Sequence, residues 1–126
     1  MTIRRLKTYT GSHGYVYQYY FVGKRLVRTA GAHDSAVEEF DAQEYIFDVT
    51  SDRKLTYAVS IFLPHRVGVA WAESHRRTLS DSEQYAAVKM RLFRAFDELV
   101  EMQAHGRKLQ IDLQSLEESL AALGVE

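Results

Sequence analysis

The chain reads as an α+β domain: an antiparallel sheet of five or six strands, two consecutive hairpins at its centre, with a long C-terminal helix packed on one face. Three observations predict this. Runs of alternating β-branched and aromatic residues fill the first half, a 3.6-residue apolar periodicity follows the single proline, and 126 residues suit one core rather than two. The expected order is β-β-β-(loop)-β-β-α-α-β-α in a single domain spanning residues 1–126.

Ile3 to Thr10 reads as the first strand, and Gly11-Ser12-His13-Gly14 as the turn after it, because glycine reaches backbone angles that other residues resist. Tyr15 to Val22 is dense in aromatic and β-branched residues. Gly23-Lys24 then reads as a tight turn, with Arg25 to Thr29 returning as a third strand. Periodicity lapses from Ala30 to Gln43, where Ser35 and Glu38 have capping-box spacing and predict a short helix through Phe40. Glu44 to Thr50 and Leu55 to Leu63 form the second hairpin, with Tyr45, Phe47 and Val49 on one face of its first strand and Leu55, Tyr57, Val59, Ile61 and Leu63 on one face of its second.

Pro64 cannot donate to a ladder but suits a helix start, so strand should give way to helix there. His65 to His75 places Val67, Ala70 and Trp71 at helical spacing. Ser80 and Glu83 form another capping-box pair, opening a long helix in which Tyr85, Val88, Leu92, Phe96 and Leu99 recur every three or four residues. It is expected to run to about His105, with Gly106 as its stop, while Arg91 and Arg94 fall on its solvent side. Leu109, Ile111 and Leu113 alternate as a short last strand, with a helical continuation over 108–113 as the alternative. Ser115 with Glu118 then predicts a final helix striped by Leu116, Leu120 and Leu123.

Composition narrows the chemistry. The chain contains no cysteine, so disulfides, thiolate metal sites and cysteine nucleophiles are excluded. Its apolar stretches are broken by charge, and the opening Met1-Thr2-Ile3-Arg4-Arg5 does not lead into a signal-like apolar run; the expectation is a soluble, cytoplasmic protein with no membrane partner. Net charge is −1, but the distribution is uneven. Before Asp34 the chain is purely basic and aromatic; after Lys108 it carries Asp112, Glu117, Glu118 and Glu126 and no base.

The segment Tyr15 to Val22 is the most unusual. Alternation sends Tyr15, Tyr17, Tyr19 and Phe21 to one side and Val16, Gln18, Tyr20 and Val22 to the other, so both faces are substantially apolar. A single helical layer covers only one of them. The function this points to is a non-catalytic binding domain, homodimeric through the tyrosine-rich strand face. An alternative is binding of single-stranded nucleic acid or another polyanion, with Tyr15, Tyr17, Tyr19 and Tyr20 stacking bases and Lys24, Arg25 and Arg28 meeting phosphates. Against it, Val16 and Gln18 break the RNA-recognition octapeptide. A third reading is a small-ligand pocket or enzyme site between sheet and long helix, lined by Tyr17, Tyr19, Tyr57, His65 and Trp71.

No catalytic residue, metal ligand set or cofactor is implied. The five histidines show no tight ligand spacing; His33-Asp34 with Glu38 or Glu39 is the nearest cluster, and it reads as a helix cap beside a solvated acidic face. There is no nucleophile elbow, and Gly11-Ser12-His13-Gly14 lacks the lysine and helix of a phosphate loop. The pairs Glu38-Glu39, Asp97-Glu98 and Glu117-Glu118 point apart on helices and read as surface charge.

Overall fold

A computed structural model describes residues 6–12, 14–28, 41–99 and 101–125. The fold is α+β, a five-stranded mixed sheet with four helices. The elements are β1 (Lys7–Thr10), β2 (Val16–Val27), β3 (Ala42–Thr50), β4 (Tyr57–Pro64), α1 (His65–His75), α2 (Asp81–Glu98), α3 (Met102–His105), β5 (Lys108–Gln110) and α4 (Leu113–Ala122). Strand order follows chain order. β1 to β4 form an antiparallel meander, and β5 joins the outer edge of β4 in parallel.

The parallel last strand corrects the purely antiparallel sheet. Three helices separate β4 from β5, enough chain to carry it back to the starting end, as a parallel pair requires. A second correction concerns Gly23-Lys24. Instead of a turn leading to a third strand, β2 runs unbroken for 12 residues, and Gly23 marks a bulge where the register with β3 shifts between Phe21 and Gly23. Turns and bulges both favour glycine, and nine residue pairs with β3 decide the matter for the bulge. The helix expected over 35–40, and the cluster His33, Asp34, Glu38 and Glu39, lie outside the described residues.

The core fills one side of the sheet. Tyr17, Tyr19, Tyr45, Phe47, Val49, Tyr57, Val59, Ile61 and Leu63 point into it, against Val67 and Trp71 of α1, Val88, Leu92 and Phe96 of α2, Met102 of α3, and Leu116 and Leu120 of α4. The aromatic row of β2 meets α2 ring on ring: Tyr17 stacks on Phe96 at 4.2 Å between centroids, Tyr9 of β1 stacks on Phe93 at 4.4 Å, and Phe21 meets Tyr85 edge-on at 4.9 Å.

Helix boundaries follow local chemistry. Pro64 closes β4 and caps α1 with φ −63°, and the first helical N–H, of His65, is satisfied by the Asp41 carbonyl at 2.8 Å. The capping box at Ser80 and Glu83 starts α2 as expected. That helix stops at Glu98, short of His105, because the backbone turns extended at Leu99 and lets Met102, 2% exposed, fold back into the core as the start of α3. At the last helix the cap is Asp112, whose carboxylate accepts from the Ser115 N–H at 2.7 Å, so Leu113 begins α4 instead of ending β5. Arg91 is half-buried and not solvent-facing. Its Nε donates to the Gln110 carbonyl at 3.0 Å and fastens α2 to β5.

Candidate functional site

The two faces of β2 have different fates. Tyr17 and Tyr19 are buried in the core, and burial raises both phenols above their ordinary pKa. Tyr15 lies just before the strand and is half exposed. On the opposite side, Val16 is 44% and Val22 50% exposed, with Tyr20 partly covered between them. The tyrosine-rich strand therefore places Tyr15, Tyr17, Tyr19 and Tyr20 in three settings instead of on one surface.

Across the sheet, pairing builds from the alternate residues of each strand a face that is free of helices among the described residues. Val22 and Gly23 sit opposite Ile46, which pairs with Ser60; Arg25 pairs with Glu44, which pairs with Phe62; Tyr20 pairs with Asp48. A diagonal apolar band thus runs from Tyr20 and Val22 through Ile46 to Phe62. Ile46 and Phe62 were absent from the residues singled out by sequence, although the alternation that turns Tyr45 and Ile61 inward turns them outward.

Glu44 anchors the polar part of this face at only 6% exposure. Burial opposes its ionisation, but the Ser60 hydroxyl donates to it at 2.5 Å and Arg25 Nε at 2.7 Å, and together these leave its pKa below the ordinary value. Arg25 is thereby held by a carboxylate. Lys24, on the other face of the strand, faces Asp81 at 3.7 Å, and Arg28 is exposed just past the strand. Lys24, Arg25 and Arg28 are not gathered into one patch.

Between sheet and α2 the space is filled by packed rings. Tyr57 is buried there, its phenol pushed up to about 12 by desolvation. Trp71 is fully buried under α1, stacked on His75 at 4.1 Å, and its indole N–H finds no acceptor among the described residues. His65 stands apart from these, exposed on the first turn of α1. It lines a hollow of about 630 Å3 at the sheet's end, enclosed by β2, β3, β4, α1 and the turn into α2. Sequence reasoning set His65 with Tyr17, Tyr19, Tyr57 and Trp71 between sheet and long helix, not in this hollow, and did not single out Arg76, which shares the lining; nothing in the local pattern marks its left-handed backbone.

Among the described residues, no group of three or more histidine and carboxylate side chains is arranged to hold a metal ion, and no helix is long and apolar enough to cross a membrane. Among the described residues, fold and surfaces define an α+β domain with one sheet face covered by helices and the other free of them. No protein-family model, curated protein or solved structure matches this chain.

Proposed function

We propose that the protein is a non-catalytic interaction domain that forms a homodimer through the helix-free face of its sheet. One observation carries the reading: the helices of the described residues gather on the face of Tyr17, Tyr45 and Val59, while the band Tyr20, Val22, Ile46 and Phe62 lies on the other. A sheet face with continuous apolar surface calls for a cover. Charge on the face does not oppose a second copy, since Arg25 is already held within the chain by Glu44. The sheet is of the size an interface needs: five strands of 3 to 12 residues, ~4.8 Å apart at ~3.3 Å per residue, span roughly 570 Å2, against the roughly 800 Å2 per partner of a stable interface.

Polyanion binding by the N-terminal quarter has less support, because Lys24 and Arg25 each already face a carboxylate. A cytoplasmic setting stays a proposal beside these, checked by fractionation of expressing cells. Light scattering on the full chain tests the main reading. The parent protein is expected to be a dimer at micromolar concentration and Val22→Lys a monomer, while Leu55→Lys, at an equally exposed site in the β3–β4 turn, stays dimeric. A parent that is monomeric throughout, or a Val22→Lys protein that still dimerises, refutes it. Tight oligonucleotide binding at low salt that weakens at moderate salt would install the polyanion reading instead.

A further inference from the structure

The hollow at the end of the sheet supports an inference independent of the dimer. We infer that it binds a small aliphatic monocarboxylate, with the chain against Leu26, Leu63, Val69 and Leu79 and the carboxylate at Arg76. Its volume of about 630 Å3 lies within the range of small-ligand pockets, and its make-up is theirs too, apolar walls with a few polar groups at the edge. Leu63 and Leu79 form a buried floor. Leu26 at 57% and Val69 at 40% exposure rise from different elements, β2 and α1, and face the same hollow. A hydrocarbon chain between them would remove both from water.

Charge selects the head group. Among the described residues, three basic side chains line the hollow, His65, Arg76 and Arg77, against one carboxylate, Glu73. Arg77 is already committed: its guanidinium donates to both carboxylate oxygens of Glu83 at 2.9 and 3.0 Å and lies over the Trp71 ring. Arg76 has no such acceptor among the described residues. It occupies the C-cap of α1 at φ 57° and ψ 34°, left-handed backbone where glycine is the favoured residue. The chain keeps a long cation there at a conformational cost. A residue held in a disfavoured conformation at the rim of a hollow is what a ligand contact would require.

Calorimetric titration of the full chain with decanoate, decanol and decylamine tests this. Decanoate is expected to bind one to one and more tightly than decylamine. Arg76→Gly, which suits the left-handed backbone, should weaken decanoate about tenfold and leave decanol unchanged. Gly68 lines the hollow, and a Cβ built there meets nothing within 4 Å; Gly68→Leu should therefore fill the space, abolish binding of both ligands and leave the melting temperature no lower. Val22→Lys should bind decanoate like the parent, which separates this inference from the dimer. The inference is overturned if the parent does not bind decanoate, if decylamine binds more tightly, if Arg76→Gly binds decanoate undiminished, or if Gly68→Leu keeps parental affinity.

Discussion

At the scale of single residues, the most consequential contacts join the β1–β2 turn to the end of α2. The Asp97 carboxylate accepts from the Tyr9 hydroxyl at 2.8 Å and the Ser12 N–H at 2.9 Å, while the Ser12 hydroxyl donates to the Asp97 carbonyl at 3.1 Å. These bonds draw the turn so close that a Cβ on Gly11 would lie 2.8 Å from the Phe96 carbonyl oxygen. Gly11→Ala should accordingly lose about 1–3 kcal/mol in urea unfolding, the usual range for forced overpacking. Gly23→Ala, with open space around it, should change stability by less than ~0.5 kcal/mol. Equal effects at the two sites would contradict this account. The glycine was legible as a turn residue, but the reason for it was not. Asp97 sits beside Glu98 and reads as surface charge, and its partners lie more than eighty residues away.

Among elements, α2 is the best signposted, and its start also carries a pH signature. Glu83 accepts from the Arg77 guanidinium and from the Ser80 N–H, and these bonds hold its pKa at about 2, against an ordinary value of 4.5. A carboxyl with a depressed folded pKa contributes stability that is complete above its unfolded value and fades as pH falls through the folded one. Thermal melts from pH 5 to pH 2 should therefore fall more steeply for the parent than for Glu83→Gln; parallel curves would mean that the contact contributes nothing. The Ser80 and Glu83 spacing announced this helix because cap and partner lie within one turn. Ser115 and Glu118 have the same spacing and misplace a start, since Asp112 lies three residues upstream of Ser115 and takes its N–H first. Pattern matching sees the spacing but not the competitor.

For the whole molecule, what escaped the sequence was long-range pairing. Alternation in β3 and β4 identified the inward residues except Leu55, which lies exposed in the turn before β4, and the expectation of a helical layer on one face matches the described helices gathered on that side. The parallel docking of β5 has no local signal. Yet Leu109, Ile111, Leu116 and Leu120 all lie in the core, and the Ile111 N–H donates to the Phe62 carbonyl at 3.0 Å. A chain ending at Gly106 should therefore lose its near-ultraviolet circular dichroism and its sharp thermal transition; a cooperative melt in that fragment would show β5 and α4 to be dispensable. The bulge in β2 has an effect of the same reach. Before it, odd-numbered residues face the core; after it, even-numbered ones do, so Leu26 reaches the hollow while Arg25 meets Glu44. A strand of the same residues paired without the bulge, alternating strictly from Phe21 onward, would exchange those two side chains between faces, placing a guanidinium on the hydrocarbon side and a leucine beside a buried carboxylate. That extra residue acts as a phase shift, and ironing it out would disrupt both surfaces at once with every side chain's chemistry intact.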